Sequence, residues 1–280
     1  MSWCETVDMP HFEHDGCVFY YETRGEGPRV LFFNGSGASI ESSAPVINAL
    51  AKTMQVLVHD QRGLGASSVP DGPYSMAQYA ADGKALLAHV GWETCTVIGI
   101  SFGGMVAQEF AVTWPGAVEK LVLLCTSAGG GAGSSYPLHE LAALPTDQAL
   151  ARRMELTDSR LTDAGWVAAR PVESAIVQGM RDGTVTTKTE TQRRGEMLQL
   201  QARMGHDVAS RLGTITCPTF VLAGRFDGIA PVSNSEQIVA RIPGAVMSVY
   251  EGGHLFTAQD RRAMADIRAF VADGTLPTPV

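Results

Sequence analysis

Six short apolar runs, each closed by a turn of glycine or polar residues, limit most strongly what this chain can fold into. They are Val30–Phe33 before NGSG, Val56–Val58 before HDQRGLGAS and Thr96–Ile100 before SFGG. Leu121–Cys125 before TSAGGG, Thr219–Ala223 before GRFDG and Val246–Tyr250 before EGGH complete the set. Continuous apolar runs of this length are the mark of strands buried on both faces, as in a parallel sheet. Helical spacing fills some of the gaps. Met76–His89 has apolar or small residues at helical intervals and stops at Gly91, and Phe102–Thr113 stops at Trp114-Pro115, where proline cannot continue a helix. Strands alternating with helices predict a doubly wound, mostly parallel sheet covered on both sides. RGEGP separates Cys17–Tyr21 from Val30–Phe33, so these two runs are expected to pair as an antiparallel hairpin at the sheet edge.

The alternation breaks near Ala128. From there to about Arg211 the chain is rich in Ala, Arg, Met, Thr and Gln, with helical patterns and no convincing strand, until CPTFVLAG resumes the strand signal. The expected organisation is a core domain of 1–127 and 212–280 carrying a helical cap, 128–211. GGGAG (Gly129–Gly133) would be the hinge at its entry; it lacks the lysine and spacing of a phosphate loop. A length of 280 residues, 45% of them hydrophobic and 18% charged, suits one α/β domain with such an insertion.

The net charge of −8, without a basic run, disfavours nucleic acid as a partner, since that binding depends on Lys and Arg neutralising phosphates. No apolar run approaches the roughly 20 residues that cross a bilayer. The segment MSWCETVDMPHFEHDG lacks the basic and apolar regions of a secretory signal, so a cytoplasmic location is expected. The five cysteines are scattered and form no CxxC pair, which fits buried thiols in a reducing compartment better than disulfides or a zinc site. HFEHD (His11–Asp15) offers metal-ligand types, but it lies ahead of the first expected strand in an exposed-looking stretch, and no metal is expected there.

Gly99-Ile100-Ser101-Phe102-Gly103 is a G-x-S-x-G motif with an apolar run before it and a helix pattern after it. In that setting the serine sits on a sharp strand-to-helix turn as a nucleophile, and the helix N-terminus favours negative charge beside it. A serine hydroxyl needs a base, and the base an orienting acid. The chain order Ser, Asp or Glu, His leaves three histidines: His139, His206 and His254. His139 and His206 fall in or beside the cap and read as solvated or hydrogen-bonded surface residues. His254, in YEGGHLF, and Asp227, in LAGRFDGIAP, each follow a strand, where sites form in open parallel sheets. Asp207 precedes its strand, and Glu251 reads as a cap of the turn that carries His254. Arg62 reads as a loop anchor. Met180, Met197 and Met204 could line an apolar pocket or simply pack.

Four stretches resemble the α/β-hydrolase superfamily, and within it the 3-oxoadipate enol-lactonase-like and carboxylesterase branch. They are FFNGSGAS; VLVHDQRGLGASSVPDGPYSMAQYAADGKALLAHVG; VIGISFGGMVAQEFAVTWPGAVEKLVLLCTSA; and CPTFVLAGRFDGIAP with GGHLF. The likeness covers the sheet domain on both sides of the cap. It implies an α/β-hydrolase fold and a triad of Ser101, Asp227 and His254. It also implies that the loop after the first buried strand, FFNGSGAS, lines an oxyanion hole made by the backbone N–H groups of Ser36 and Phe102, with Asn34 and Gly35 supporting the loop and the Asn34 amide holding it. Many members carry His-Gly where this chain has Asn34-Gly35, an asparagine the enol-lactonases resemble. LFTAQD after His254 departs from a Glu-Pro-type continuation, and the cap is rich in Arg and Met without a recognisable pattern.

The expected activity is cleavage of a small-molecule carboxylic ester or lactone through an acyl-enzyme, needing no metal or organic cofactor. The alternatives on the same fold are a C–C bond hydrolase, a cofactor-free perhydrolase, or a triad-bearing small-molecule receptor with negligible turnover. An aspartate nucleophile is disfavoured because position 101 is serine.

Overall fold

The structure, a computed structural model, describes residues 10–185 and 187–276. Eight strands form one sheet in the order β1-β2-β4-β3-β5-β6-β7-β8. They are β1 (His11–His14), β2 (Cys17–Arg24), β3 (Arg29–Phe33), β4 (Gln55–His59), β5 (Cys95–Ile100), β6 (Val118–Leu124), β7 (Thr219–Gly224) and β8 (Val246–Tyr250). From β4 to β8 every neighbour is parallel, while β2 runs antiparallel to both β1 and β4. The helices are α1 (Ala44–Leu50), α2 (Met76–His89), α3 (Phe102–Thr113), α4 (Thr146–Thr157), α5 (Ala164–Ala168), α6 (Pro171–Val185), α7 (Glu190–Met204), α8 (Val232–Val239), α9 (Phe256–Gln259) and α10 (Arg261–Asp273).

Strand side chains alternate between the two faces of the sheet, and each face has its own core. On β3, Leu31 and Phe33 pack with α2 and α3, while Val30 and Phe32 pack with α1 and α10. Val221 joins the first core, and its neighbours Phe220 and Leu222 the second. Helix boundaries follow local chemistry. Ser75 caps α2, accepting from Gln78 N–H while the Gln78 side chain returns to the Ser75 N–H. α3 ends at Trp114, immediately before Pro115.

Two expectations about the N-terminal edge are corrected. The hairpin is formed by β1 and β2, and β3 lies inside the sheet between β4 and β5. A buried strand such as β3 gains more by covering both faces than by pairing with its neighbour in sequence. HFEHD is thus not a stretch ahead of the first strand. His11–His14 is that strand, and Asp15 at its turn accepts from Gln78 and Arg62.

Between β6 and β7 the described residues form helices α4–α7 and short 3₁₀ turns, with no strand. The segment enters and leaves at one place: Val208 N–H donates to Ala128 O at 2.9 Å, and Gly129 bridges Asp207. Among the described residues, no helix is long and apolar enough to cross a membrane. The described cysteines Cys17, Cys95, Cys125 and Cys217 are free thiols; Cys4 lies outside the described residues.

Candidate active site

The first crossover, β3 to α1 to β4, runs to one side of β3, and the next, β4 to α2 to β5, returns to the other. The switch point lies beyond the carboxyl ends of β3 and β5, where open α/β sheets form their sites. Asn34 follows β3, Ser101 follows β5, Asp227 follows β7 and His254 follows β8.

Ser101 has φ +55° and ψ −114°, a strained backbone of the kind that clusters at sharp turns in active sites. The turn closes only because its flanking residues lack side chains. A Cβ on Gly99 would strike the Gly103 backbone, and one on Gly103 would strike the carbonyls of Phe33 and Asn34. Thr126 Oγ1 donates to the Ser101 carbonyl at 2.8 Å and pins the turn from the end of β6.

His254 Nε2 stands 2.9 Å from Ser101 Oγ, and His254 Nδ1 stands 2.7 Å from Asp227 Oδ2. An ionised carboxylate only accepts, so Nδ1 carries the proton donated to Asp227. The neutral ring then presents Nε2 as the acceptor for the serine hydroxyl. The other carboxylate oxygen, Asp227 Oδ1, accepts from Ile229 N–H at 2.8 Å and Ala230 N–H at 2.9 Å, which fixes its direction. Burial pushes the His254 pKa down. The Asp227 charge outweighs it, aided by Cys125, and holds the ring well above its usual 6.5.

The helical segment grips this arrangement at the end of α4. His254 N–H donates to Thr157 O at 2.6 Å and Gly228 N–H to Leu156 O at 2.8 Å. Gln259 Nε2 donates to Asp158 Oδ2 at 2.9 Å, while its Oε1 accepts from Gly253 N–H at the same distance.

FFNGSGAS lies against the serine turn: a Cβ on Gly35 would stand 3.7 Å from both Ile100 O and Ser101 Cβ. Neither Ser36 N–H nor Phe102 N–H takes part in the described turn and loop hydrogen bonds. The expectation that the Asn34 amide holds the loop is corrected. Both polar atoms of that buried side chain lack a protein partner, and the loop is tied instead through the Asn34 carbonyl, which accepts from Gln61 Nε2 at 2.8 Å. Asp60 ties its far end, accepting from Ile40 N–H at 2.6 Å, and braces its own loop by accepting from Ala66 N–H at 2.7 Å. Gly37 N–H donates to Gln199 Oε1 of α7 at 2.7 Å, a contact that nothing in the local sequence announces.

A cavity of about 570 Å³ opens beside Ser101, with Ser36, Leu138, Met180, Ile229 and His254 in its walls. Met180 therefore lines it. Met197 and Met204 are 41% and 57% exposed, and of the two Met204 borders a second cavity. Glu251, read as a turn cap, is paired with Arg225 at 2.6 Å on the surface. Arg62 is buried against Asp82, as a loop anchor should be. His206 overturns its surface reading: it is 6% exposed and neither ring nitrogen makes a full hydrogen bond. Sequence pattern reports local periodicity, whereas burial of a single histidine depends on tertiary packing around it.

One group of described residues is close enough to share a metal ion. Cys125 Sγ, the Asp227 carboxylate and the His254 ring lie within 4.8 Å of one another. An ion held there would have to break the Asp227–His254 hydrogen bond.

Residues 28–259 match the family described as the alpha/beta hydrolase fold, and the chain belongs to that family. It is, by that membership, a hydrolase. It is 32% identical over 240 residues to a poly(3-hydroxyalkanoate) depolymerase of Ectopseudomonas oleovorans, spanning 85% of this chain and 82% of that one. It is 26% identical over 250 residues to 3-oxoadipate enol-lactonase 2 of Acinetobacter baylyi, spanning 87% and 88%. Among solved structures, a hydrolase from Pseudomonas aeruginosa PA01 superposes with a TM-score of 0.78 at 27% identity, covering 96% of this chain and all of that one.

Proposed function

We propose that the protein is a serine hydrolase of small-molecule carboxylic esters or lactones, with Ser101 as nucleophile, His254 as general base and Asp227 as the acid that orients it. The observation that carries this reading is the unbroken hydrogen-bonded line Ser101 Oγ–His254–Asp227 at the wall of a largely apolar cavity. His254 Nε2 takes the hydroxyl proton as Ser101 Oγ attacks the carbonyl carbon. Asp227 keeps the ring in the required tautomer and stabilises the imidazolium. The oxyanion is held by Ser36 N–H and Phe102 N–H, the second at the N-terminus of α3, where the helix dipole also favours negative charge. The imidazolium then gives its proton to the leaving alkoxide. Water, deprotonated by His254, releases the acyl group from Ser101. Residues 128–211 act as the cap, with Leu138 and Met180 lending the cavity its apolar wall.

Two relatives support the ester or lactone bond: one is named for a poly(3-hydroxyalkanoate), a polyester, and the other for an enol-lactone. The test is labelling by a fluorophosphonate probe together with p-nitrophenyl ester turnover. Labelling with steady turnover is expected, and Ser101→Ala should lower kcat by about 10⁶. Near-normal turnover in that variant would remove Ser101 from its role. Labelling without turnover would mark a receptor instead.

A further inference from the structure

The cavity beside Ser101 has walls of two kinds. Leu138, Arg153 and Met180 reach it from the stretch between β6 and β7. The sheet domain lends it a second wall, made by Val46 and Ala49 of α1, Ala258 of α9 and Met264 of α10. Val46, Met264 and Ile100, the last at the end of β5, are half-buried: each packs against the second core and also lines the cavity. That core, with Ile47, Leu50 and Ile267 in it, joins α1 to α10. Arg268 of α10 adds a tie, donating from Nη2 to the Ala49 carbonyl at 3.1 Å. The trough along α1, α9 and α10 is therefore shaped by the fold itself, as ligand sites mostly are.

What fits the trough follows from its chemistry. Among the described residues lining the cavity, Arg153 is the one Arg, Lys, Asp or Glu, and it belongs to α4 rather than to the trough. Apolar surface facing an open cavity gains by burial against an apolar ligand, whereas a charge placed there loses its water without gaining a partner. The trough also has a length. Its lining residues run along α1 from Ser43, the N-cap, to Ala49, six residues or about 9 Å of helix. An extended chain advances about 1.2 Å per bond, so about seven bonds cover that distance. Resting on the ester-hydrolase reading, we propose that the trough holds a straight, uncharged aliphatic arm of about eight carbons, carried by an ester or lactone whose carbonyl lies at Ser101. The arm is either the acyl chain or the alcohol chain; burial of its methylenes is the same chemistry in both.

Ethyl octanoate and octyl acetate separate the two, being isomers that carry the chain on opposite sides of the carbonyl. With both kept below micelle formation, the isomer that seats its chain in the trough should exceed ethyl acetate in kcat/KM by at least tenfold, since each buried methylene contributes up to about fourfold. Ala258→Trp, at an exposed position, and Ala49→Phe each fill the trough, and each should lower that isomer's ratio over ethyl acetate at least tenfold. A carboxylate added to the end of the favoured chain should remove the gain. The proposal is overturned if neither isomer exceeds ethyl acetate, if the two variants fold and keep the ratio, or if the chain ending in a carboxylate is cleaved as well, which would assign its end to Arg153. Thermal unfolding of the full chain tests the trough without turnover. Octan-2-one, which has no bond to hydrolyse, should raise the wild-type Tm saturably, and butan-2-one at the same concentration should not. A shift with octan-2-one but no cleavage of any ester would overturn the hydrolase reading and leave the trough standing. Ester cleavage without a chain-length gain or an octan-2-one shift would overturn the trough alone.

Discussion

At the scale of single residues, the proposed chemistry turns on two backbone donors and one ring. The Ser36 hydroxyl is buried without a hydrogen-bond partner, so it contributes little that alanine would not. Ser36→Ala should leave kcat within a few-fold of wild type. Ser36→Pro, which has no N–H, should lower kcat by roughly 10²–10³ in a folded protein. Equal rates in the two variants would count against the oxyanion role. The His254 ring sets the pH dependence. Its cation cannot accept the serine proton, so rate rises with pH as the ring deprotonates. Asp227 favours the cation, so the acid limb of kcat/KM should have its midpoint above pH 6.5. In Asp227→Asn the largest upward influence is gone and burial is opposed by Cys125, so the ring's titration, followed by NMR, should move down. A midpoint at or below 6.5 in the wild type would show that Asp227 does not govern the ring. The meeting of Ser101, Asp227 and His254 beyond the strand ends was legible beforehand, because each follows an apolar run and their chain order is that of the proposed triad. The burial of His206 was not, because what closes over a single histidine is decided by tertiary packing.

At the scale of elements, α2 is fastened to the loop after β4 by a pair with no exposure to spare. Arg62 donates to Asp82 at 2.7 and 2.6 Å, with the two side chains 2% and 0% exposed. Removing one member strands the other in the core. Arg62→Ala should cost about 3–5 kcal/mol in chemical denaturation, whereas replacing both by apolar residues of similar size should cost much less. A loss below about 1 kcal/mol would place the pair in the class of surface bridges. α2 and α3 were predicted to their ends, since helical spacing closed by a glycine and a Trp-Pro stop are local signals. β1 was missed because four residues, HFEH, make too short an alternation to stand out. The hairpin was assigned to the wrong partner because strand pairing is a tertiary choice between β1, β3 and β4.

At the scale of the whole molecule, the two buried histidines tie stability to acidity. His59 is pushed down to about 4 by burial, with the Arg62 charge second, and His206 to about 4 by burial. Between pH 6.5 and 4 the unfolded chain binds protons that the folded one refuses, so stability falls as pH drops through that window. Each histidine accounts for up to about 3 kcal/mol over the full window. Urea midpoints measured from pH 7 to 4.5 should decline, and His59→Gln should flatten the decline; an unchanged slope would free His59 from that role. The hydrogen bonds from His254 N–H to Thr157 and from Gly37 N–H to Gln199 have a consequence for anyone recombining relatives of this protein. The stretch between β6 and β7 is no interchangeable plug-in. A chimera that imported a foreign stretch would misplace the imidazole and the glycine loop together, even if the new roof welcomed the desired molecule. Under the proposed function, selectivity is better re-engineered by altering cavity-lining positions such as Leu138 and Met180 than by transplantation.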